Sequence, residues 1–279
     1  MAPDKKEGSE ATITGCTPYW VKNVNVLNLA PVIKVLKKII TNGLLFSSVA
    51  IKGSEEAYDM WSEDYDAQPG NLMLDMDEEV FSALLQQIDL KDRRIADIGC
   101  GTGRHWPKIF EHEPSCLTGF DVSSGMLRRL QEKFPQVYTS KITDNRFSDI
   151  GDAMYDVLIS TLTVAHIENL SEALEAWCRI LKDDGDIIIT DFHPDALANG
   201  GKRTFQHHQK QIQVQNFVHH LAEIESILQR NNFHVVNRLE KVVDESVKHY
   251  YVAKDAVPVY EKFKDSNIIY GLHLKRNVA

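Results

Sequence analysis

Apolar positions along this chain recur with two periods, and the periods alternate. Runs spaced at three and four residues predict helices over 76–88, 104–112, 124–133, 170–181 and 219–231. Short, dense apolar runs predict strands over 94–99, 116–121, 137–142, 155–160, 185–191, 233–242 and 267–275. Strands that alternate with helices argue for an α/β fold, a mostly parallel sheet with helices on both faces. The last strand follows no comparable crossover after 233–242. Ligands of such sheets bind beyond the carboxyl ends of the strands. That rule selects Asp97, Asp121, residues 142–144, residues 160–166 and residues 191–194.

The pattern is less regular toward the N-terminus. Residues 1–10 are polar and charged and lack the apolar core of a secretory signal, and residues 1 to about 17 read as a disordered tail. Between 32 and 40 the apolar spacing fits an amphipathic helix, interrupted by Lys34, Lys37 and Lys38. The run is too charged and too short to span a bilayer. It predicts a helix that caps the core or the pocket, or else, through residues 29–46, a homodimer or lipid-surface contact. The expected division is an extension over 1–54 and a larger domain over 55–279, with an insertion at about 195–218.

The strand at 94–99 runs into Asp97-Ile98-Gly99-Cys100-Gly101-Thr102-Gly103. Glycines at alternate positions let a backbone turn approach a ligand that a Cβ would exclude. The N–H groups at the following helix start then face that ligand. A dinucleotide site needs Gly-x-Gly-x-x-Gly and a pyrophosphate. Here the spacing is Gly-x-Gly-x-Gly, and Asp97 would repel a phosphate but attract an ammonium group. S-adenosylmethionine carries an α-ammonium and no phosphate. Asp121, at the end of the next strand, is placed to bind ribose hydroxyls.

These residues, with Gly119-Phe120-Asp121-Val122-Ser123, Tyr155 to Ser160, and Ile180 to Asp191, come in the order found in a known family. The chain resembles the class I S-adenosylmethionine-dependent methyltransferases over roughly residues 55 to 275. The likeness is greatest to the small-molecule branch that contains the ubiquinone and menaquinone methylases. It implies a Rossmann-like seven-stranded sheet whose last strand is antiparallel. It also implies a helix carrying Tyr58, Trp61 and Tyr65 over the cofactor, with Trp61 toward the acceptor. Cofactor contacts are expected from Tyr58, Tyr65, Asp97, Gly99, Cys100, Gly101, Thr102, Gly103, Asp121, Val122, Ser160 and Thr161. Met126 would touch the adenine ring or belong to the core. Asp144 would accept from the adenine amino group, with Asp149 and Asp152 as alternatives.

The acceptor side is less defined. The family members that methylate adenine or glutamine nitrogen carry Asn/Asp-Pro-Pro-Tyr after the fourth strand, and this chain has Ser160-Thr161-Leu162-Thr163 there. His166 and His193 are the candidate bases, needed only if the acceptor must lose a proton. Arg203 could bind an acidic acceptor, and His220 would sit on the acceptor-side helix. Gly200 to Phe205 reads as a loop or hairpin turn, and 206–214 as a strand. Adjacent histidines on a strand point to opposite faces, so His207-His208 predict no metal site.

Composition narrows the classes. The chain has 279 residues, 43% hydrophobic and 25% charged, as expected of a globular enzyme. A net charge of −9 argues against a broad nucleic-acid footprint, so the expected partner is a small-molecule acceptor. Four cysteines, at 16, 100, 116 and 178, form no Cys-x-x-Cys pair, which suits reduced thiols in a cytoplasm. A dinucleotide oxidoreductase and a catalytically silent binding or regulatory protein of the same fold are the alternatives.

Overall fold

A computed structural model of the protein describes residues 49–277. The expected tail at 1–17, the amphipathic helix with its dimer or lipid contact at 29–46, and Cys16 lie outside the described residues.

The strand at the centre of the fold is β2 (Arg94–Ile98), and four of its five residues are buried. Its side chains alternate between faces. Ile95 packs with one set of apolar residues, while Ala96 and Ile98 pack with another. It is flanked by β3 (Cys116–Asp121) and β5 (Tyr155–Thr161), both parallel to it. Outside these lie β4 (Tyr138–Lys141) and β6 (Leu181–Phe192), again parallel. The sheet is completed by β9 (Phe233–Val242) and β10 (Asn267–Arg276) in the order β4-β3-β2-β5-β6-β10-β9. β10 runs antiparallel to both its neighbours. The expected α/β class, seven strands and antiparallel last strand are therefore all present.

Helices cover both faces. On one, Val80, Phe81 and Leu84 of α2 (Leu72–Leu85) pack with Ile109 of α3 (Trp106–Glu111) and Leu130 of α4 (Ser124–Lys133). On the other, Leu174 and Trp177 of α5 (Leu170–Ile180) pack with Ile224 and Leu228 of α7 (Leu221–Arg230). Two of the helix starts nearest the site follow side-chain caps. α2 begins before residue 76 because Asn71 accepts from the Met73 N–H, and Ser123 accepts from Met126 to start α4. β6 begins at once after α5, so the strand expected from 185 starts at Leu181. A register shift opposite Tyr155 and Val157 absorbs the extra residues. The interval before β10 is not bare. α8 (Lys248–Ala253) and α9 (Val257–Phe263) fill it, and they are too short for a periodic signal to have marked them.

A second, three-stranded sheet lies apart from the first, in the order β1-β8-β7. β1 (Ala50–Lys52) pairs parallel with β8 (Lys210–Val214), and β7 (Thr204–His207) pairs antiparallel with β8. The strand expected across 206–214 is thus a hairpin, turning at His208 and Gln209 rather than within 200–205. Both turn residues have positive φ, 45° and 65°, which matches the twist of a two-residue hairpin. Phe205, Ile212 and Val214 pack against Ala57 and Trp61 of α1 (Ser54–Trp61). A further short helix, α6 (Pro194–Ala198), follows β6.

The α2 helix approaches β10 at Gly271, where an added Cβ would lie 2.3 Å from Val80 Cγ1 and 2.9 Å from Leu84 Cδ1. Gly271→Ala should therefore destabilise the protein by about 1–3 kcal/mol through overpacking, read as a lower urea midpoint at unchanged m-value. An unshifted midpoint would show that this contact gives way freely.

Candidate functional site

The loop after β2 is shaped by two neighbours. Gly99 has φ +73°, and a Cβ there would fall 1.9 Å from Thr163 Oγ1, so the loop after β5 closes directly over it. Gly101 has φ +53°, and a Cβ there would meet nothing within 4 Å. Asp121, at the end of β3, holds the loop. One carboxylate oxygen accepts from Gly101 N at 2.8 Å, the other from Ser123 N at 2.8 Å. Asp97 accepts from Trp106 Nε1 at 2.7 Å through Oδ2. Its Oδ1 is buried without a partner.

The segment from Tyr58 to Asp66 is fastened above this loop. Asp59 accepts from Ser123 Oγ at 2.6 Å and from Gly125 N at 2.8 Å. Asp66 accepts from Thr102 Oγ1 at 2.6 Å and from Lys133 Nζ at 2.9 Å. Tyr58 Oη lies 2.9 Å from His166 Nε2, and His166 Nδ1 lies 3.0 Å from the Gln215 carbonyl. A carbonyl only accepts, so Nδ1 carries the imidazole proton and Nε2 accepts from Tyr58. Burial lowers the His166 pKa to about 4, so the ring is neutral at physiological pH.

Two adjoining cavities open between these elements. The larger, about 260 Å³, is lined by Tyr58, Tyr65, Gly99, Gly101, Asp121 and Val122 from the predicted set. Met126, Asp144, Thr161 and His166 line it too. The smaller, about 30 Å³, is lined by Asp97, Cys100 and Thr102, and shares Tyr65, Gly99, Gly101 and Thr161 with the first. The structure thus gathers thirteen of the predicted side chains and backbone positions around these two cavities, which share part of their lining. Sequence reasoning passed over Ser54 and Asn145 in the larger cavity, and Arg104 and His105 in the smaller, while Leu162 falls within the selected 160–166. Arg104 directly follows the glycine loop and could have been found from that position. Leu162 has φ +52°, which its residue type gives no reason to expect.

Six predicted residues line neither cavity. Gly103 backs onto Trp106 and Leu130. Ser160 is enclosed within β5. Trp61 stacks on Phe205, ring centroids 4.4 Å apart, and so belongs to the packing between α1 and the hairpin. Arg203 is buried among aromatic rings. His193 stands at the start of α6, where its Nδ1 accepts from Asp195 N. Its Nε2 faces Glu240 at 3.7 Å, because the chain turns away from the cavity after β6. His220 is exposed ahead of α7 and caps nothing with its side chain. Among the described residues no group of acids, histidines and cysteines could hold a metal ion, and no helix is long and apolar enough to cross a membrane.

Residues 74–238, more than half of the chain, match the model of a family described as a methyltransferase domain. The chain belongs to this family. The domain is similar to the ubiquinone/menaquinone biosynthesis C-methyltransferase UbiE of Campylobacter jejuni, at 32% identity over 108 residues. That match covers 37% of this chain and 46% of the relative. It is also similar to the tRNA U34 carboxymethyltransferase of Helicobacter pylori, at 30% over 108 residues, 36% of this chain and 41% of the relative. The matched stretch spans less than half the length of both curated relatives. Among solved structures, the magnesium protoporphyrin IX methyltransferase of Synechocystis with bound SAH aligns at TM-score 0.54 and 16% identity, covering 88% of this chain and 99% of that one. The [4+2]-cyclase SpnF aligns at TM-score 0.60 and 15% identity, covering 83% and 98%. At these identities the likeness is one of fold.

Electrostatically the methyltransferase domain holds carboxylates where burial penalises their charge. Desolvation pushes Asp97 and Asp121 up to about 6, against the lowering effect of the Trp106 and backbone hydrogen bonds. Asp191, whose oxygens accept from Ala165 N and Phe192 N, is pushed by burial to about 7. Beneath the smaller cavity the balance reverses. Asp77, paired with Arg104, His105 and Thr190, is lowered to about 2 despite full burial.

A folded-state pKa above the unfolded value means that the native state holds the extra proton between roughly pH 4 and pH 6. Stability from Asp97 is then present at low pH and lost as pH rises through 6. Asp97→Asn keeps an acceptor for Trp106 and removes the charge. Without ligand, its gain in stability over wild type should be near zero at pH 4 and grow to about 1–3 kcal/mol by pH 7, measured by denaturant titration. A difference independent of pH would mean that Asp97 titrates normally.

Proposed function

We propose that this protein is an S-adenosyl-L-methionine-dependent methyltransferase acting on a small-molecule acceptor in the cytoplasm. The observation that carries the reading is the unpartnered buried Oδ1 of Asp97 beside the open space at Gly101. A cationic α-ammonium in the smaller cavity would satisfy that oxygen, and Arg104 there offers a partner for the α-carboxylate. The adenosyl part would fill the larger cavity. Asp121 keeps free lone pairs for ribose hydroxyls after accepting from Gly101 and Ser123. Met126, Asp144 and Asn145 would surround the adenine.

The sulfonium supplies an already activated methyl group. What remains for this chain is to align the acceptor and exclude water. Asp59 and Asp66 hold the Tyr58–Tyr65 segment over the cavity for that purpose. Neither predicted histidine is poised as a strong base. His166 has its Nε2 lone pair engaged by Tyr58 and a lowered pKa, and His193 lies outside the cavity. This favours an acceptor that reaches the site already ionised or needs no deprotonation. Free Cys100, Cys116 and Cys178 suit a reducing compartment.

A second reading keeps the fold without methyl transfer, since a cyclase shares it. A third takes RNA as acceptor, because a relative is a tRNA carboxymethyltransferase; the net charge of −9 weighs against it. Calorimetry with S-adenosylhomocysteine should show binding that strengthens as pH rises from 5 to 7.5, because the ligand's ammonium favours ionised Asp97. Asp97→Asn and Asp121→Ala should each weaken it at least about tenfold. Incubation with methyl-labelled cofactor, fractionated metabolites and bulk tRNA should then label a small molecule. Label on tRNA would select the third reading, and binding without label in any fraction the second.

A further inference from the structure

Arg203, just ahead of the β7 strand, is 5% exposed. Its guanidinium carbon lies 5.2 Å from the centroid of Trp61, 5.7 Å from Phe192, 5.8 Å from Tyr58 and 5.9 Å from Tyr65. Aromatic faces attract a cation but do not replace an anion. Its one side-chain hydrogen bond among the described residues runs from Nη2 to Tyr65 Oη, at 3.1 Å. Its Nε is buried with no partner. A guanidinium this enclosed and this incompletely bonded is costly to the fold alone.

Tyr65 connects this cation to the hollow. Its oxygen accepts from Arg203, so its own hydroxyl proton points elsewhere, and no described residue accepts it. Tyr65 lines both cavities, which places it where they join. On the reading above, that junction is where the sulfur and its methyl group would lie. Arg104 lines the smaller cavity and Arg203 lines neither, so the cofactor's carboxylate would lie nearer Arg104, which is also paired with Asp77 and Glu78. The proton of Tyr65 is left for the acceptor.

We propose that Tyr65, backed by the buried guanidinium of Arg203, donates a hydrogen bond to an anionic oxygen of the methyl acceptor. The acceptor class is then a carboxylate, or a phenol or enol acidic enough to be ionised at neutral pH, whose charged oxygen is, or adjoins, the nucleophilic atom. Such an acceptor arrives ionised, which agrees with the lack of a strong base at the cavity. The inference rests on the methyl-transfer reading and adds the chemistry of the acceptor to it.

The test uses protein saturated with S-adenosylhomocysteine and two probes of one shape, benzoate and the uncharged benzamide, followed by saturation-transfer NMR. Benzoate should bind saturably, and benzamide about tenfold more weakly. Tyr65→Phe and Arg203→Met should each lower benzoate affinity about tenfold, and Arg203→Met, at a residue that lines neither cavity, should leave S-adenosylhomocysteine affinity within about threefold. Methionine keeps a neutral, unbranched chain about as far as the Nε position, and Tyr65→Phe removes a single oxygen, so one variant covers a folding failure in the other. Equal binding of the two probes, no benzoate binding, or unchanged benzoate affinity in the variants would overturn the proposal. A parallel loss of S-adenosylhomocysteine affinity in both would assign the pair to the cofactor's carboxylate and overturn it too. Wild-type protein that bound no S-adenosylhomocysteine would remove the methyl-transfer reading itself, a result distinct from all of these.

Discussion

The carboxylate of Asp121 joins two loops that the sheet alone would leave independent. It receives the N–H of Gly101 from the turn after β2 and the N–H of Ser123 from the turn after β3. Ser123 in turn caps α4 and donates to Asp59, which carries the α1 helix. Loop, cap and overlying helix therefore depend on one buried acid. Ionised, that acid is disfavoured by its surroundings, and Asp97 one strand away shares the condition. The protein keeps two charges that weaken its own fold, as expected where a site is built for a partner that will compensate them.

The glycine loop was legible from sequence because its determinants are local. Gly99, Gly101 and their acid lie within a few residues, and the backbone conformation they permit is set by residue type. The succession of strands and helices along the chain was legible from alternation of period for the same reason. The resemblance placed Tyr58 and Tyr65 at the pocket, and both line the cavity, although α1 ends at Trp61 and Tyr65 follows it in a turn.

What escaped is what depends on distant partners. The hairpin at His208 and Gln209 carries positive φ on residues that rarely take it, so no glycine or asparagine marked the turn. β1 pairs with β8, some 160 positions later in the chain, and nothing in three residues announces that partner. Trp61 shares its helix with Tyr58 but faces Phe205, because the hairpin sheet occupies that side of α1. His193 follows the right strand, yet the entry into α6 carries it toward Glu240 and away from the cavity. Position at a strand end selects a neighbourhood; the direction of the next element decides what a side chain reaches.

The antiparallel β10 strand has a consequence for how the chain comes to be folded. β6, the fifth of the seven strands, has β10 as its only neighbour on one side, and β9 is held to the sheet through β10 alone. During synthesis, β2 through β6 can assemble while the edge of β6 still exposes unpaired backbone and apolar side chains such as Ile187 and Ile189. That edge stays open until Arg276 has left the ribosome. An exposed, apolar strand edge is a template for pairing with other chains. The nascent protein thus passes through a stage in which the buried run Ile187–Ile189 of β6 awaits its closing partner, and chaperones that shield such edges would act on it at that stage.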